Sequence, residues 1–474
     1  MFKFDYSYLT LPNSLYSITP PCLTAKIEIK TLNHTLLEEL DLSTKHDEIL
    51  SALLSKKYQN KSYAQAYAGH QFGQFTQLGD GRAIIMGEHL TKNKERFDIQ
   101  LKGGGKTKYS RRGDGKATLK AMLREYIISE AMYYLQIPSS RGLGVLKTNE
   151  TVYRNFKEEG SILIRTMQSH IRIGTFEYAY YFGKSNELQT LTNYTIKRLY
   201  PEIKSVENPP LALLKTVMEK QIKLVVNWMR IGFIHGVMNT DNIAISGETF
   251  DYGPCAFMNT YDPNTVYSSI DRHGRYAFGN QPTVLKWNIS RFAESLLPLI
   301  HSDSALSVKL AQSVINEFDE IWNTQYYAMM LNKIGFESTH NNLNFLIEDL
   351  LDIMKNHKMD YTNTFRSLSS NKIGEEFINI TDFKKWYDLW KENIVQYTCF
   401  SDAKQLMRKT NPVVIPRNNS IEQALENAEN DNYKLFNSLL AILSTPFDYD
   451  NELASILKAP SDDFEKNYQT FCGT

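Results

Sequence analysis

Three places in the 474-residue chain carry residues whose types and spacing could do chemistry. The first is Gly79-Asp80-Gly81-Arg82. Glycines there would let backbone amides approach phosphate oxygens closely, although an ordinary turn has the same composition. The second is Lys102, closing an alternating run, with Glu125 23 positions later in a helical pattern. A strand lysine oriented by a helix carboxylate grips nucleotide phosphates; taken alone, a surface lysine and a solvated glutamate read equally well. The third is His235-Gly236-x-x-x-x-Asp241-Asn242, then apolar Ile243, Ala244 and Ile245, then Phe250-Asp251-Tyr252-Gly253. Asn242 and Asp251 offer hard oxygen ligands on two backbone segments, joined in this reading by a β-hairpin, as a divalent cation that bridges phosphates requires. Arg165 and Arg172 add planar guanidinium forks suited to a multiply charged phosphate, with plain surface arginines as the alternative.

Protein kinases use the same parts in the same chain order: strand lysine, helix glutamate, catalytic-loop asparagine and the aspartate of an Asp-Phe-Gly turn. One position departs. The kinase base lies five residues before the asparagine, where this chain has Val237, which cannot accept a proton. Asp241 is the nearest carboxylate that could act as base.

The elements that must position these residues follow from periodicity. Residues 1–60 read as an N-terminal extension with a helical pattern over 36–54. Turn residues 77–82 between two strand-like runs read as a hairpin with a glycine-rich tip. In the next strand Phe97, Ile99 and Leu101 share one face, and Asp98, Gln100 and Lys102 the other. A loop rich in glycine and base (103–116) leads to a helix over 117–135, stopped by Pro138. A long helix spans 211–231 and ends at Gly232. Leu306, Leu310, Val314 and Phe318 form one stripe of a mainly helical C-terminal third, and 421–443 holds another. The order, strands first and helices second, predicts an α+β fold.

Composition narrows the class. With 42% hydrophobic and 22% charged residues the chain is neither disordered nor fibrous. The 53 basic and 53 acidic residues cancel, which argues against a dedicated nucleic-acid binder. Cys22, Cys255, Cys399 and Cys472 form no C-x-x-C pair, and sparse thiols fit a reducing compartment. No apolar run approaches the ~18 residues that span a bilayer, and the amino terminus lacks a secretory pattern. The expectation is a soluble, cytoplasmic protein with no membrane partner.

Taken together these stretches resemble the selenoprotein O family, protein adenylyltransferases with a pseudokinase fold. The resembling blocks are Tyr67-Ala68-Gly69-His70-Gln71-Phe72-Gly73 through Arg82, Gln100-Leu101-Lys102-Gly103-Gly104-Gly105 through Glu130, and 235–253. Weaker similarity continues through 275–282, Asn411-Pro412 and Arg417-Asn418. The strings Arg111-Arg112-Gly113-Asp114-Gly115 and His235-Gly236-Val237-Met238-Asn239-Thr240-Asp241-Asn242 are highly specific to the family. The resemblance implies a two-lobed, protein-kinase-like fold: a 1–60 extension packed on the core, a strand-rich lobe over 61–205 and a helical lobe over 206–474. It implies ATP bound in an inverted pose, so that AMP passes to Ser, Thr or Tyr hydroxyls of proteins, the enzyme itself included, with release of pyrophosphate.

By that resemblance Gly79, Gly81 and Arg82 contact the nucleotide, and Lys102 holds phosphate and pairs with Glu125. Asp114 and Gly115 touch the inverted nucleotide, Arg165 and Arg172 grip the buried phosphates, Asn242 and Asp251 bind Mg²⁺ or Mn²⁺, and Asp241 accepts the proton. Eukaryotic members carry selenocysteine near the carboxyl end, where this chain has Cys472. Residues 266–269 lack the cysteine that ties down that end in certain members, and Cys255 is shifted, so Cys472 is expected to be free. The protein is expected to be a monomer. UMP transfer from UTP is a close variant. A conventional phosphotransferase conflicts with Val237, and a non-catalytic scaffold has no need of the complete metal site.

Overall fold

In the computed structural model, residues 2–471 are described except 24–26, 44, 155, 185, 338–339, 371–372 and 452–458; Cys472 lies outside the described residues. Strands dominate the first part of the chain and helices the second, a mixed α+β architecture. An antiparallel sheet runs in the order Tyr16–Ile18, Tyr63–Gln65, Ala83–Leu90, Arg96–Lys102, Lys157–Met167, Arg141–Tyr153, Glu28–Leu32. Arg96–Lys102, the strand bearing Lys102, is therefore paired on both edges. Its alternation works as expected on one face, where Ile99 and Leu101 join an apolar cluster with Met86, Leu146 and Ile164. The other face is buried too, because Asp98, Gln100 and Lys102 meet polar partners rather than water.

The helix Leu119–Tyr134 starts where the Thr118 hydroxyl accepts from the Ala121 amide, and its end is marked by Gln136 at φ 63, just before Pro138. The long helix Pro209–Arg230 is capped by Asn208 and stops before Gly232, whose φ of 72 favours glycine. None of the described helices is long and apolar enough to cross a membrane.

Four sequence expectations are corrected. The run before Gly79 does not pair with Ala83–Leu90. Gln74–Gln77 instead pairs with Ala68–Gln71, and the tip is Phe72-Gly73, with φ of 51 and 85. A two-residue hairpin turn needs positive φ at both residues, and this pair supplies it. The 79–82 segment is a crossing between two sheets, fixed by the Gln65 amide donating to the Asp80 carboxylate at 3.0 Å. No hairpin joins Asn242 to Asp251 either. Residues 243–245 bond to 171–173, the Ile173 amide to the Ile243 carbonyl and the Ile245 amide to the Ile171 carbonyl, both at 2.9 Å. The 36–54 pattern splits into His34–Glu39 and His46–Leu54, parted at Asp41, where φ is 55. The stripe through Phe318 likewise breaks, since Ser304–Asn316 ends before it and Phe318–Lys333 begins with it.

Glu248 sits in the same connection and accepts the Gln168 amide at 3.1 Å. Burial pushes its carboxyl up to about 7; Ser246, the Gln168 amide and Lys220 oppose the shift, and Asp98 adds to it. The native state thus keeps a proton that the unfolded chain releases near 4.5, so this group erodes stability as pH rises between those values and nowhere else. Glu248→Gln is expected to flatten that part of the profile and to be more stable than wild type at pH 7.5, by a few kcal/mol at most. Thermal unfolding at pH 4.5 and pH 7.5 checks it; parallel declines in both proteins would refute the assignment.

Candidate active site

Four charged side chains from distant parts of the chain close into one buried box. The Lys102 Nζ donates to Glu125 Oε2 and to Asp251 Oδ1, each at 2.6 Å. Arg165 Nη1 donates to Glu125 Oε1 and to the same Asp251 Oδ1, again at 2.6 Å. Strand register explains the pairing of cations. Arg165 stands opposite Gln100, two residues from Lys102 on the same face, and its Nε donates to Gln100 Oε1 at 2.7 Å. Glu125 reaches the box from a helix whose residues 122–132 are all buried.

Asp251 is held at φ 60, a conformation that costs a non-glycine residue on the order of 1 kcal/mol. The two cations explain why it is tolerated. Burial alone would lift the Asp251 carboxyl, yet Arg165 and Lys102 beside it hold it well below the usual carboxylate range. It is also the member that keeps contact with solvent: its side chain is 22% exposed, against 8% or less for the other three. A ligand entering the cleft therefore meets Asp251.

Arg172 and Asp241 form the second half of the site. The Arg172 guanidinium lies 4.1 Å over the Tyr67 ring and 4.9 Å over that of Phe250. Its Nη1 donates to the Asp241 carbonyl at 3.2 Å, while its buried Nη2 makes no hydrogen bond to the described residues and stands 3.5 Å from Asp80 Oδ1 as an ion pair. Asp241 Oδ1 is likewise buried without a partner. Burial pushes the Asp241 carboxyl up to about 6 against the opposing pull of Arg172. A carboxylate so placed is poised to take a proton near neutral pH. Asn242 commits its amide nitrogen to the Val237 carbonyl at 2.9 Å, which leaves its oxygen as the end suited to a cation.

The glycines of 79–82 serve packing as well as ligand access. A side chain at Gly79 would overlap the Tyr109 ring, and one at Gly81 would meet the Tyr109 carbonyl at 3.2 Å. Arg82 anchors the crossing to the Lys102 strand, its carbonyl accepting from the Gly103 amide at 2.8 Å. Asp114 is bound to Arg154 at 2.9 Å, and that hydrogen bond first of all holds its carboxyl down to about 2. Gly115 adopts φ 73 and its carbonyl accepts from the Gly105 amide at 3.1 Å.

Sequence reasoning missed the residues that hold Asp241 in place. Glu177 accepts from the Thr240 hydroxyl at 2.6 Å and bonds His70 Nδ1 at 2.5 Å, and the His70 amide donates to Thr240 Oγ1 at 2.8 Å. The usable signal was Gly69 within its motif. A methyl there would sit 2.9 Å from Asp241 Cγ and overlap the unpartnered oxygen. Gly69→Ala is therefore expected to displace the carboxylate and to lower kcat about a hundredfold while the melting temperature changes little. Unchanged turnover would show that Asp241 tolerates the shift.

Among the described residues no cluster of three His, Cys, Asp or Glu side chains could cage a metal by itself. Two oxygen donors, Asn242 and Asp251, suit an ion whose other ligands are phosphate and water, and the Arg172 nitrogen, held only by a 3.5 Å ion pair with Asp80, suits a phosphate oxygen. A cavity of about 570 Å³ elsewhere, lined by Asn363, Arg366 and Glu376 among others, contains none of these groups.

A strand lysine bonded to a helix glutamate, two buried arginines and the oxygens of Asn242 and Asp251 are groups whose chemistry suits phosphate. Comparison with known proteins agrees. Residues 2–444 match the family model described as protein adenylyltransferase SelO. The chain is 48% identical to the protein nucleotidyltransferase YdiU of Brevibacillus brevis, over 100% of this chain and 98% of the relative. It is 49% identical to the protein of the same name from Pelagibacter ubique (99% of each chain), and 48% to that of Bacillus cereus (99% and 98%). The chain belongs to the SelO family and is a nucleotidyltransferase.

Proposed function

We propose that this enzyme transfers AMP from ATP to Ser, Thr or Tyr hydroxyls of proteins, itself included. The observation that carries the reading is the buried, unpartnered Asp241 oxygen beside the Lys102–Glu125–Arg165–Asp251 box. The acceptor oxygen attacks the α-phosphorus as the bond to the β-phosphate bridging oxygen breaks. Pyrophosphate leaves, and the hydroxyl proton passes to Asp241 Oδ1. Lys102, Arg165 and Arg172 hold phosphate oxygens, Glu125 orients Lys102, and Gly79, Gly81, Arg82, Asp114 and Gly115 border the nucleotide. A divalent cation, Mg²⁺ or Mn²⁺, held by Asn242 and Asp251 would neutralise charge building on the pyrophosphate.

This reading takes the strand-rich and helical parts as the two lobes of a kinase-like fold, 61–205 and 206–474, with 1–60 packed on them. It assigns the activity to a cytoplasmic monomer. The free thiols of Cys22, Cys255 and Cys399 support a reducing compartment. The names that the SelO family and its YdiU relatives bear, protein adenylyltransferase and protein nucleotidyltransferase, support a protein acceptor. Paired labelling tests the proposal. With Mg²⁺ or Mn²⁺ and a protein acceptor, label is expected in protein from α-labelled ATP and not from γ-labelled ATP. Label from the γ-position alone would make the enzyme a kinase and end this reading.

A further inference from the structure

The ribbon formed by Ala68–Gln71 and Gln74–Gln77 is separate from the large sheet, and it is latched to the catalytic loop. The His70 amide donates to Thr240 Oγ1 at 2.8 Å and the Phe72 amide to Asn239 Oδ1 at 3.1 Å. Its outer side carries rings that the fold leaves open: Phe72 and Phe75 are 37% and 38% exposed, and Tyr181 and Phe182, at the end of the helix Ile173–Phe182, are each 46% exposed. Phe75, Tyr181 and Phe182 form one patch, while Phe72 lies against Tyr276 at 5.2 Å. Phe75 lies 4.6 Å from the Tyr181 ring and 6.0 Å from that of Phe182, and His70 links it to Trp287, at 5.0 and 5.2 Å. Single exposed apolar residues need no explanation, but a contiguous aromatic patch beside a reacting group does.

Two cations border the patch, and one is neutralised: Arg291 stands 5.5 Å over the Trp287 ring but is paired at 2.7 Å with Glu294, which also accepts from the Tyr181 hydroxyl at 3.4 Å. The Arg275 guanidinium stands 4.8 Å over the Trp287 ring, and no carboxylate lies within ion-pair distance of it among the described residues. The nearby Asp271 is occupied by the backbone amides of Arg275 and Tyr276, at 2.9 and 2.7 Å. The shelf is thus apolar, with Arg275 as the rim cation that has no carboxylate partner among the described residues, and its backbone is bonded to the loop that carries Asp241.

We infer that this shelf docks the acceptor protein, taking an apolar side chain against Phe75, Tyr181 and Phe182 and an acidic side chain onto Arg275, so that the neighbouring hydroxyl reaches Asp241. The inference rests on the protein-modifying reading above and specifies its acceptor: a segment with an apolar and an acidic residue flanking the modified hydroxyl. Aromatic anchors and an arginine are the residue types that carry binding energy at such surfaces, and charge complementarity selects the partner.

Fluorescently labelled peptides test it by anisotropy. Each carries one threonine, flanked by Leu and Glu, by Leu and Lys, or by Ser and Glu. Wild type is expected to bind the Leu/Glu peptide about tenfold more tightly than either other peptide. A Phe75→Ser, Phe182→Ser double variant should lose the preference for Leu and keep that for Glu. Arg275→Glu should reverse the preference between Glu and Lys, a gain of binding that misfolding cannot imitate. No measurable binding, equal binding of all three peptides, or an unchanged charge preference in Arg275→Glu would overturn the inference. Transfer from α-labelled ATP to the same peptides separates the two readings: preferential binding without transfer sinks the proposed activity and leaves the docking surface standing.

Discussion

Asp251→Asn should lower nucleotidyl transfer about a thousandfold or more, without weakening the binding of metal-free ATP. Asn is the informative replacement because it tolerates the left-handed backbone that Asp251 adopts at φ 60, where Ala would add strain. The charge balance of the box then changes from two cations and two anions to two cations facing Glu125 alone. Lys102 and Arg165 lose their shared partner, and a phosphate group is the natural replacement for it. Affinity for ATP without metal should hold or rise, whereas the gain in affinity on adding Mg²⁺ should shrink sharply, because a neutral amide oxygen replaces the anionic ligand. Breaking a buried ionic contact also costs about 3–5 kcal/mol, so the variant should melt well below wild type. Calorimetric titration with ATP, with and without Mg²⁺, separates these effects. Transfer within tenfold of wild type would remove Asp251 from the metal site.

The site was legible in the sequence where chemistry follows local period. Lys102 ends a period-two strand, a position that falls from spacing, whereas Glu125 gained its reading from the kinase-like order of the parts, because its helix is buried throughout 122–132. The oxygen pair Asn242 and Asp251 was legible as residue types. The way their loop is held was not: 243–245 bond to 171–173, far upstream, and nothing in an apolar tripeptide names its partner. The hairpin was displaced for a related reason. Gly79 and Gly81 carry a glycine signal, but the turn forms at Phe72-Gly73, because pairing of 68–71 with 74–77 fixes it there. Burial was the least legible quantity. The state of Asp241 depends on Gly69, Arg172 and Glu177, which adjoin it only in space. The aromatic shelf is likewise a property of two segments, since Phe75 and Phe182 share no local pattern.

Asp241→Asn should act in the opposite sense on stability, which is what makes the pair of carboxylates separable. The variant keeps the shape of the side chain and leaves the Lys102–Glu125–Arg165–Asp251 box intact, so ATP affinity should match wild type with and without metal. Transfer should fall by roughly 10²–10⁴, the contribution typical of a positioned general base. Its folded-state carboxyl is raised to about 6 from an ordinary 3.8 by burial, so its ionisation is a cost that grows as pH rises between those values and is fully present at pH 7. Removing the charge removes the cost, and Asp241→Asn should melt at a higher temperature than wild type at pH 7, measured without nucleotide or metal. Loss of turnover with a gain in melting temperature is the mark of a group kept for chemistry at the expense of stability, whereas Asp251→Asn loses both. If Asp241→Asn instead lost stability or ATP affinity along with turnover, Asp241 would be a structural partner of Arg172 and the proton acceptor would have to be sought elsewhere in the loop.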